Sequence, residues 1–335
     1  MNDNKKQLGQ FYTTNYKYIL QNLHIPDDIN NIIEPFCGQG DLINFTNKKV
    51  ECYDICPKQD YIIKRNTLLE PPDYTDKFVI TNPPYLARNK SKDKTIFDKY
   101  NQNDLYKCLI DELTKNICIG GILIIPLNFF CSIRKNDIEL KKKFLKKYNI
   151  LTINIFEESV FDDTSYTICS FQFEKKQHSK LIDCYFYPSS KKINIEFTKQ
   201  NNYMIGGEIY NLKQNNNIKV ERITTNNKDN INKTNILVQC IDNNENNKIT
   251  LSIVSDDKIF IDETPKLSAR SYASLIIEPK ITKEEEKKIV DKFNKYLNEQ
   301  RTKYNSLFLT NYRENNRKRI SFKLIFEIVN YLLSE

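Results

Sequence analysis

The 335-residue chain reads as a doubly wound α/β domain followed by a mixed α+β region. Three observations predict this. In the first half, short apolar runs of β type alternate with polar segments of helical period, the pattern of a mainly parallel sheet covered by helices. The first of those runs enters a Gly-x-Gly turn that can continue into a helix, the usual opening of a nucleotide-type α/β unit. Past Lys175 the texture changes to short strand-like runs separated by Asn-rich turns, and from Lys283 onward it becomes helical.

Strands are expected in the first half at 32–34, 50–53, 78–81, 121–126, 151–156 and 166–173. Residues 105–117 and 137–148 have helical periodicity and the length to cover the sheet. Residues 41–66 are few, so helices flanking the second strand should be stunted. Further strands are expected at 181–187, 193–197, 236–241 and 249–254, and helices at 284–298 and 321–333. The boundary falls near 175–180, dividing the chain into 1–177 and 178–335. Asn-rich stretches such as Asn215-Asn216-Asn217 read as loops.

This length buries a core without disulfide staples. The nine cysteines form no CxxC pair, and with only His24 and His178 there is no cluster at zinc-ligand spacing. Reduced thiols in an intracellular protein, and no metal, are the expectation. The first ten residues are polar, and no run approaches about 18 consecutive apolar residues, so a soluble, non-secreted chain is expected. The formal charge is +8, with 25 Lys/Arg against 23 Asp/Glu in residues 1–177 and 26 against 20 in residues 178–335. A surplus weighted to the C-terminal half suits an anionic partner such as nucleic acid.

Candidate chemistry begins at Ile32-Ile33-Glu34-Pro35-Phe36-Cys37-Gly38-Gln39-Gly40-Asp41. Glycines here let the backbone approach a nucleotide-like cofactor, although the same residues also suit a plain tight turn. The three-glycine dinucleotide fingerprint is incomplete, which favours a cofactor without phosphates. The second strand ends in Asp54-Ile55, where a carboxylate can accept from both hydroxyls of a ribose and an apolar side chain can pack on an adenine ring. The most informative segment is Asn82-Pro83-Pro84-Tyr85, at the end of the run 78–81. Two prolines fix φ and remove two donors, leaving rigid carbonyl acceptors beside an amide side chain. An exocyclic aromatic amine is a poor nucleophile because its lone pair is delocalised. Acceptance of its protons by the Asn82 side-chain oxygen and the Pro83 carbonyl lets the nitrogen pyramidalise toward a sulfonium methyl, without a strong general base. Tyr85 offers a face on which an extrahelical base can stack.

The series resembles the N6-adenine DNA methyltransferases of the gamma motif order, found in restriction-modification systems, over roughly residues 7–175. The segment Gly9-Gln10-Phe11-Tyr12-Thr13-Thr14 matches that family's N-terminal motif. The resemblance implies a Rossmann-like S-adenosylmethionine methyltransferase sheet with helices on both faces, followed by a C-terminal α+β DNA-recognition region. It implies S-adenosyl-L-methionine as cofactor, with Tyr12, Thr13 and Thr14 at its methionine end. Glu34, Phe36, Gly38, Gly40 and Asp54 take further cofactor positions, and Ile55 packs on its adenine. Asn66 stands where an acidic residue is usual and would bond the adenine amine through its carbonyl. Asp104-Leu105-Tyr106 and Gly120-Gly121 match the family's middle section. The segment 159–168 resembles its late motif, which assigns Phe161 to the second face of a flipped base, opposite Tyr85.

A base inside a duplex cannot reach such a pocket, so it must be flipped out while other contacts hold double-stranded DNA. Residues 178–335 are the candidate grip, with Arg313, Arg317, Lys318 and Arg319 near Tyr304 and Tyr312, and with Arg270 in a loop that can enter a groove. The run Lys141-Lys142-Lys143 suits a solvated helix face better. A separate cognate restriction endonuclease is a possible partner. Competing readings are N6-adenine methylation of RNA, N5-methylation of a protein glutamine, whose amide poses the same acceptor problem, and a DNA-binding module without activity.

Overall fold

A computed structural model of the chain describes residues 11–162, 164–178, 181–242, 248–263, 271–313 and 317–335. The chain divides into two compact units, Met1–Phe197 and Thr198–Glu335. The first contains β1 (Ile32–Glu34), β2 (Val50–Asp54), β3 (Ile63–Lys64), β4 (Phe78–Thr81) and β5 (Gly120–Pro126), followed by β6 (Asn149–Phe156), β7 (Ile168–Glu174), β8 (Ile182–Tyr187) and β9 (Lys192–Ile195). They form one sheet in the order β3-β2-β1-β4-β5-β7-β6-β8-β9. Strands β1 to β5 are parallel, whereas β7 runs antiparallel to both its neighbours, β5 and β6. From β1 the chain first moves outward to β2 and β3, then returns to place β4 on the other side of β1. Crossovers therefore part at the carboxyl ends of β1 and β4, where a doubly wound sheet opens its crevice.

Strands β1, β4 and β5 are buried along their whole length because both sheet faces are covered. Side-chain alternation on β6 and β7 shows how. Phe171 and Phe173 point to the face on which Phe144 and Tyr148 pack. The opposite face carries polar groups satisfied by the N-terminal segment. Asn154 donates to the Gln21 carbonyl, Ser170 donates to the Ile19 carbonyl, and the His24 N–H donates to the Gln172 side chain. The helices Leu105–Leu113 and Lys135–Leu145 lie in the connections after β4 and β5. Between β1 and β2 there is only the 3-10 turn Leu42–Phe45.

Two expectations change. The boundary expected at 177/178 lies instead at 197/198, because β8 and β9 extend the first sheet through a parallel β6–β8 pairing. Strand β8 buries alternate residues, unlike the continuous runs before it, and that shift in pattern reads in sequence as a change of domain. The lysine run is also more structural than a solvated face. Lys141 is buried, with its Nζ 3.4 Å from the Ser132 carbonyl, while Lys142 pairs with Glu139 and Lys143 with Asp111. Burial pushes the Lys141 ammonium down to about 7.

The second unit holds β10 (Lys219–Arg222), β11 (Lys233–Gln239), β12 (Ile241–Asp242), β13 (Thr250–Ile253), β14 (Tyr272–Glu278), β15 (Thr310–Arg313) and β16 (Arg317–Arg319). An antiparallel sheet has the order β10-β14-β11-β13, and a smaller one has the order β12-β16-β15. The helix Lys283–Tyr304 starts from a Thr282/Glu285 capping box and packs on β11 and β13; the helix Phe322–Ser334 packs on β10. No described helix is long and apolar enough to cross a membrane.

Candidate active site

A cavity of about 380 Å³ opens at the crevice between the carboxyl ends of β1, β2 and β4. That volume is within the usual range for a small-molecule site. The turn after β1 forms one wall. Gly38 has φ +58° and Gly40 φ +91°, conformations that favour glycine, and a Cβ on Gly38 would come within 3.3 Å of the Tyr12 ring. Asp54 ends β2 with its carboxylate buried at the cavity wall, where Gly38 N–H and Cys56 N–H donate to its two oxygens at 2.9 and 2.7 Å. These bonds orient the carboxylate and leave it further lone pairs for a ligand's hydroxyls.

Among the residues expected to bind a cofactor, Tyr12, Phe36, Gly38, Asp54, Ile55 and Asn66 line the cavity. Thr13, Thr14, Glu34 and Gly40 lie off its wall. Thr13 is buried and Thr14 exposed. Glu34 sits behind Phe36, accepting from the Phe36 N–H and from the Thr81 hydroxyl. Its Oε2 is buried without a partner among the described residues, and burial holds the carboxyl well above the usual carboxylate range. The Asn66 oxygen, expected to meet an adenine amine, accepts instead from Leu68 N–H and Leu69 N–H at 3.2 and 3.3 Å. Arg65 braces this turn through the carbonyls of Glu70 and Pro71. No group of three or more possible metal ligands occurs among the described residues.

The Asn82–Tyr85 segment forms the opposite wall, at the end of β4. Asn82 Nδ2 donates to the Phe11 carbonyl at 2.8 Å and to Thr13 Oγ1 at 3.0 Å, and its Oδ1 accepts from the Tyr85 hydroxyl. Three partners thus hold the amide in one orientation, with a lone pair on Oδ1 still available. None of the described residues donates to the Pro83 carbonyl. The Ile124 carbonyl lies 2.9 Å from the same hydroxyl, so its single proton is shared between two acceptors and ties the segment to β5. Asn82 and Pro84 line the cavity, whereas Tyr85 and Phe161 are buried behind Phe11. The Tyr85 face expected to be open for a base is covered by the Phe11 ring, which stacks on it at 5.1 Å. Asp104, at the start of the helix Leu105–Leu113, is buried with no partner for Oδ1 among the described residues, and burial pushes its carboxyl up to about 7.

Sequence reasoning missed the loop after Tyr85. Leu86, Lys90, Ser91, Lys92 and Asp93 line the cavity. Arg88 pairs with Asp98 at 2.6 Å, and Lys94 donates to the Arg88 and Ser91 carbonyls. These two cations shape the loop, and Lys90 and Lys92 remain exposed at the cavity mouth. The density of basic residues over 88–94 was the available signal.

In the second unit, Arg313, Arg317, Lys318 and Arg319 fall on the β15–β16 hairpin. Arg270 lies outside the described residues, as do Gly9 and Gln10 of the N-terminal motif. Tyr304, expected near phosphate, is buried and donates to Glu208 at 3.0 Å. Arg301 pairs with Asp242 and Arg222 with Asp262, so both serve the unit's own packing.

No protein-family model matches the chain, and no curated protein matches it. Among solved structures, it is similar to the methyltransferase subunit of a type I restriction-modification system from Streptococcus thermophilus (17% identity, 58% of this chain and 50% of that one, TM-score 0.39). It is also similar to a modification subunit assigned to a type I restriction enzyme of Vibrio vulnificus (15%, 59% and 50%, TM-score 0.44) and to the type IIG restriction endonuclease BpuSI (11%, 64% and 36%, TM-score 0.40). The chain spans half or less of the length of each. Likeness at this level says nothing about what this chain acts on.

Proposed function

We propose that the first unit methylates the exocyclic amino group of adenine in DNA, with S-adenosylmethionine as the methyl donor. The observation that carries this reading is the Asn82 amide, locked by Phe11, Thr13 and Tyr85 at the wall of the cavity that also holds Gly38 and Asp54. The cofactor's residues fit on this structure's own terms. The Gly38 turn is a cradle that a side chain would crowd, the Asp54 carboxylate is preset for ribose hydroxyls, and Ile55 presents a half-exposed apolar face for an adenine ring.

When bound, the cofactor supplies an electrophilic sulfonium methyl. The chain's own residues prepare the amine. Asn82 Oδ1 and the Pro83 carbonyl each accept one N–H of the target, which localises the nitrogen lone pair and aims it across the cavity. The preset amide needs no reorganisation at that moment, which is where its catalytic value lies. Tyr85 and Phe161 hold the extruded base by stacking. Lys90 and Lys92 meet the phosphates beside the flipped nucleotide, and the basic residues of β15 and β16, with Arg270, grip the duplex.

Expression of the chain in a host free of DNA methylation, followed by long-read sequencing of a resident plasmid, tests the proposal. N6-methyladenine in a defined context is the expected result. Unmodified DNA, with methyl transfer to RNA or to a protein glutamine instead, overturns it.

A further inference from the structure

The two rings assigned to hold a flipped base already hold another ring. Phe11 lies 5.1 Å from Tyr85 with 26° between the planes, and 5.9 Å from Phe161 with 31° between them. We propose that Phe11 is a placeholder for the target base, its side chain occupying the aromatic slot of Tyr85 and Phe161 until an adenine replaces it. The proposal rests on the reading of this site as one that modifies a planar base.

The anchoring of the segment separates what stays from what leaves. The Phe11 carbonyl is held by Asn82 Nδ2, and the same amide holds Thr13 Oγ1. The backbone of residues 11–13 is thus fixed to the catalytic asparagine. The Phe11 ring makes no polar bond, and rotation about its first side-chain torsion withdraws it without breaking those contacts. Burial points the same way. Tyr85 and Phe161 are 5% and 6% exposed, whereas Phe11 is only partly buried and lines the cavity. The ring therefore stands at the slot's mouth, with the slot walls behind it. Its departure joins the slot to the space beside Gly38 and Asp54, and a base entering there brings its amine to Asn82 Oδ1.

A phenyl ring matches the six-membered half of adenine in size and in its preference for offset stacking. Placing it in the slot keeps two buried aromatic faces dry while no base is bound. The same contact makes occupancy competitive, so only a ligand that stacks better than phenylalanine and also bonds Asn82 gains entry. An extruded adenine does both, while a thymine lacks the amine.

The chain has no tryptophan, so Phe11→Trp places a single reporter in the slot. In the free protein the indole should emit at short wavelength and be shielded from acrylamide; a solvent-exposed indole overturns the proposal. The probes are fluorescein-labelled oligothymidylate and the same strand with one central adenine, with binding followed by anisotropy. A red shift of the indole with the adenine strand and not with oligothymidylate is expected. Binding of both strands without any shift overturns the placeholder and leaves the DNA reading standing, whereas no binding of either strand overturns both. Phe11→Ala gives a second measure. Removal of the competitor should lower KM for the adenine strand roughly threefold to tenfold, the size of one aromatic contact. A rise in KM would mean that Phe11 supports the base instead of standing in for it.

Discussion

Asn82→Ala removes the acceptor from the target amine and also three bonds inside the protein. Loss of one preorganised polar partner of a transition state costs roughly 10²–10³ in kcat, or about 2.7–4 kcal/mol. The structural cost is separate. Phe11 O and Thr13 Oγ1 lose their donor and the Tyr85 hydroxyl loses one acceptor, although Tyr85 keeps Ile124. At about 1 kcal/mol for each lost bond the destabilisation is roughly 2–3 kcal/mol, a fall in Tm of about 4–12 °C for a unit of this size. Methyl transfer from labelled S-adenosylmethionine to unmethylated DNA, measured at 25 °C beside calorimetric titration with S-adenosylhomocysteine, separates the two effects. Turnover should fall at least a hundredfold while cofactor affinity changes less than about threefold. Asn82→Asp is the informative partner, because it keeps an oxygen at the Oδ1 position and replaces the donor by a second acceptor. The Thr13 hydroxyl can reverse and donate to it, but the Phe11 carbonyl cannot, so its activity should lie between those of wild type and Asn82→Ala. A loss of cofactor affinity in step with turnover would refute the assignment of Asn82 to the target amine.

Other outcomes follow from the same geometry. Tyr85→Phe keeps the ring and removes the hydroxyl bonds to Asn82 and Ile124; chemical denaturation should show a loss of about 1–2 kcal/mol and turnover a drop of less than tenfold, and a thousandfold drop would mean that the hydroxyl acts on the substrate. The double variant Lys90→Ala, Lys92→Ala should weaken DNA binding and lower the slope of log affinity against log salt by roughly 1.8, two phosphate contacts' worth, as read by anisotropy; an unchanged slope would remove both lysines from the DNA contact. Lys141 supplies a pH test. Burial lowers its folded value to about 7 against an ordinary 10.5, with Lys107 adding to the shift and Asp137 and Cys131 opposing it. The unfolded chain therefore binds more protons between these limits, and stability rises as pH goes from 7 toward 10.5. The full difference is on the order of 4–5 kcal/mol. Lys141→Met should raise Tm near pH 7 and flatten its climb with pH, and a lower Tm at pH 7 would show that the buried ammonium is net stabilising.

What sequence could and could not disclose divides along a physical line. Strands β1, β4 and β5 were legible because burial on both faces demands an uninterrupted apolar run, and Asn82–Tyr85 was legible because two prolines after such a run leave few other conformations. Strand β14, with the equally apolar Leu275-Ile276-Ile277, went unplaced because its partners β10 and β11 are remote in sequence and no local turn announces the pairing. Side-chain identity also runs ahead of side-chain engagement. Asp54 and Asn66 are where a cofactor reading wants them, yet the Asp54 carboxylate is set by Gly38 N–H and Cys56 N–H while the Asn66 oxygen is taken by its own turn. Four cations between Arg88 and Lys94 look equivalent as letters, and only the pairings of Arg88 and Lys94 leave Lys90 and Lys92 to meet a ligand. Phe11 is the sharpest case. Its place in the N-terminal motif is visible, but the occupant of an aromatic slot is decided by which ring reaches it in three dimensions. On the proposed reading, a site that binds a planar ring takes one from its own chain when the backbone brings it close, and the Phe11 ring against Tyr85 and Phe161 matches the shape of the ligand it stands in for.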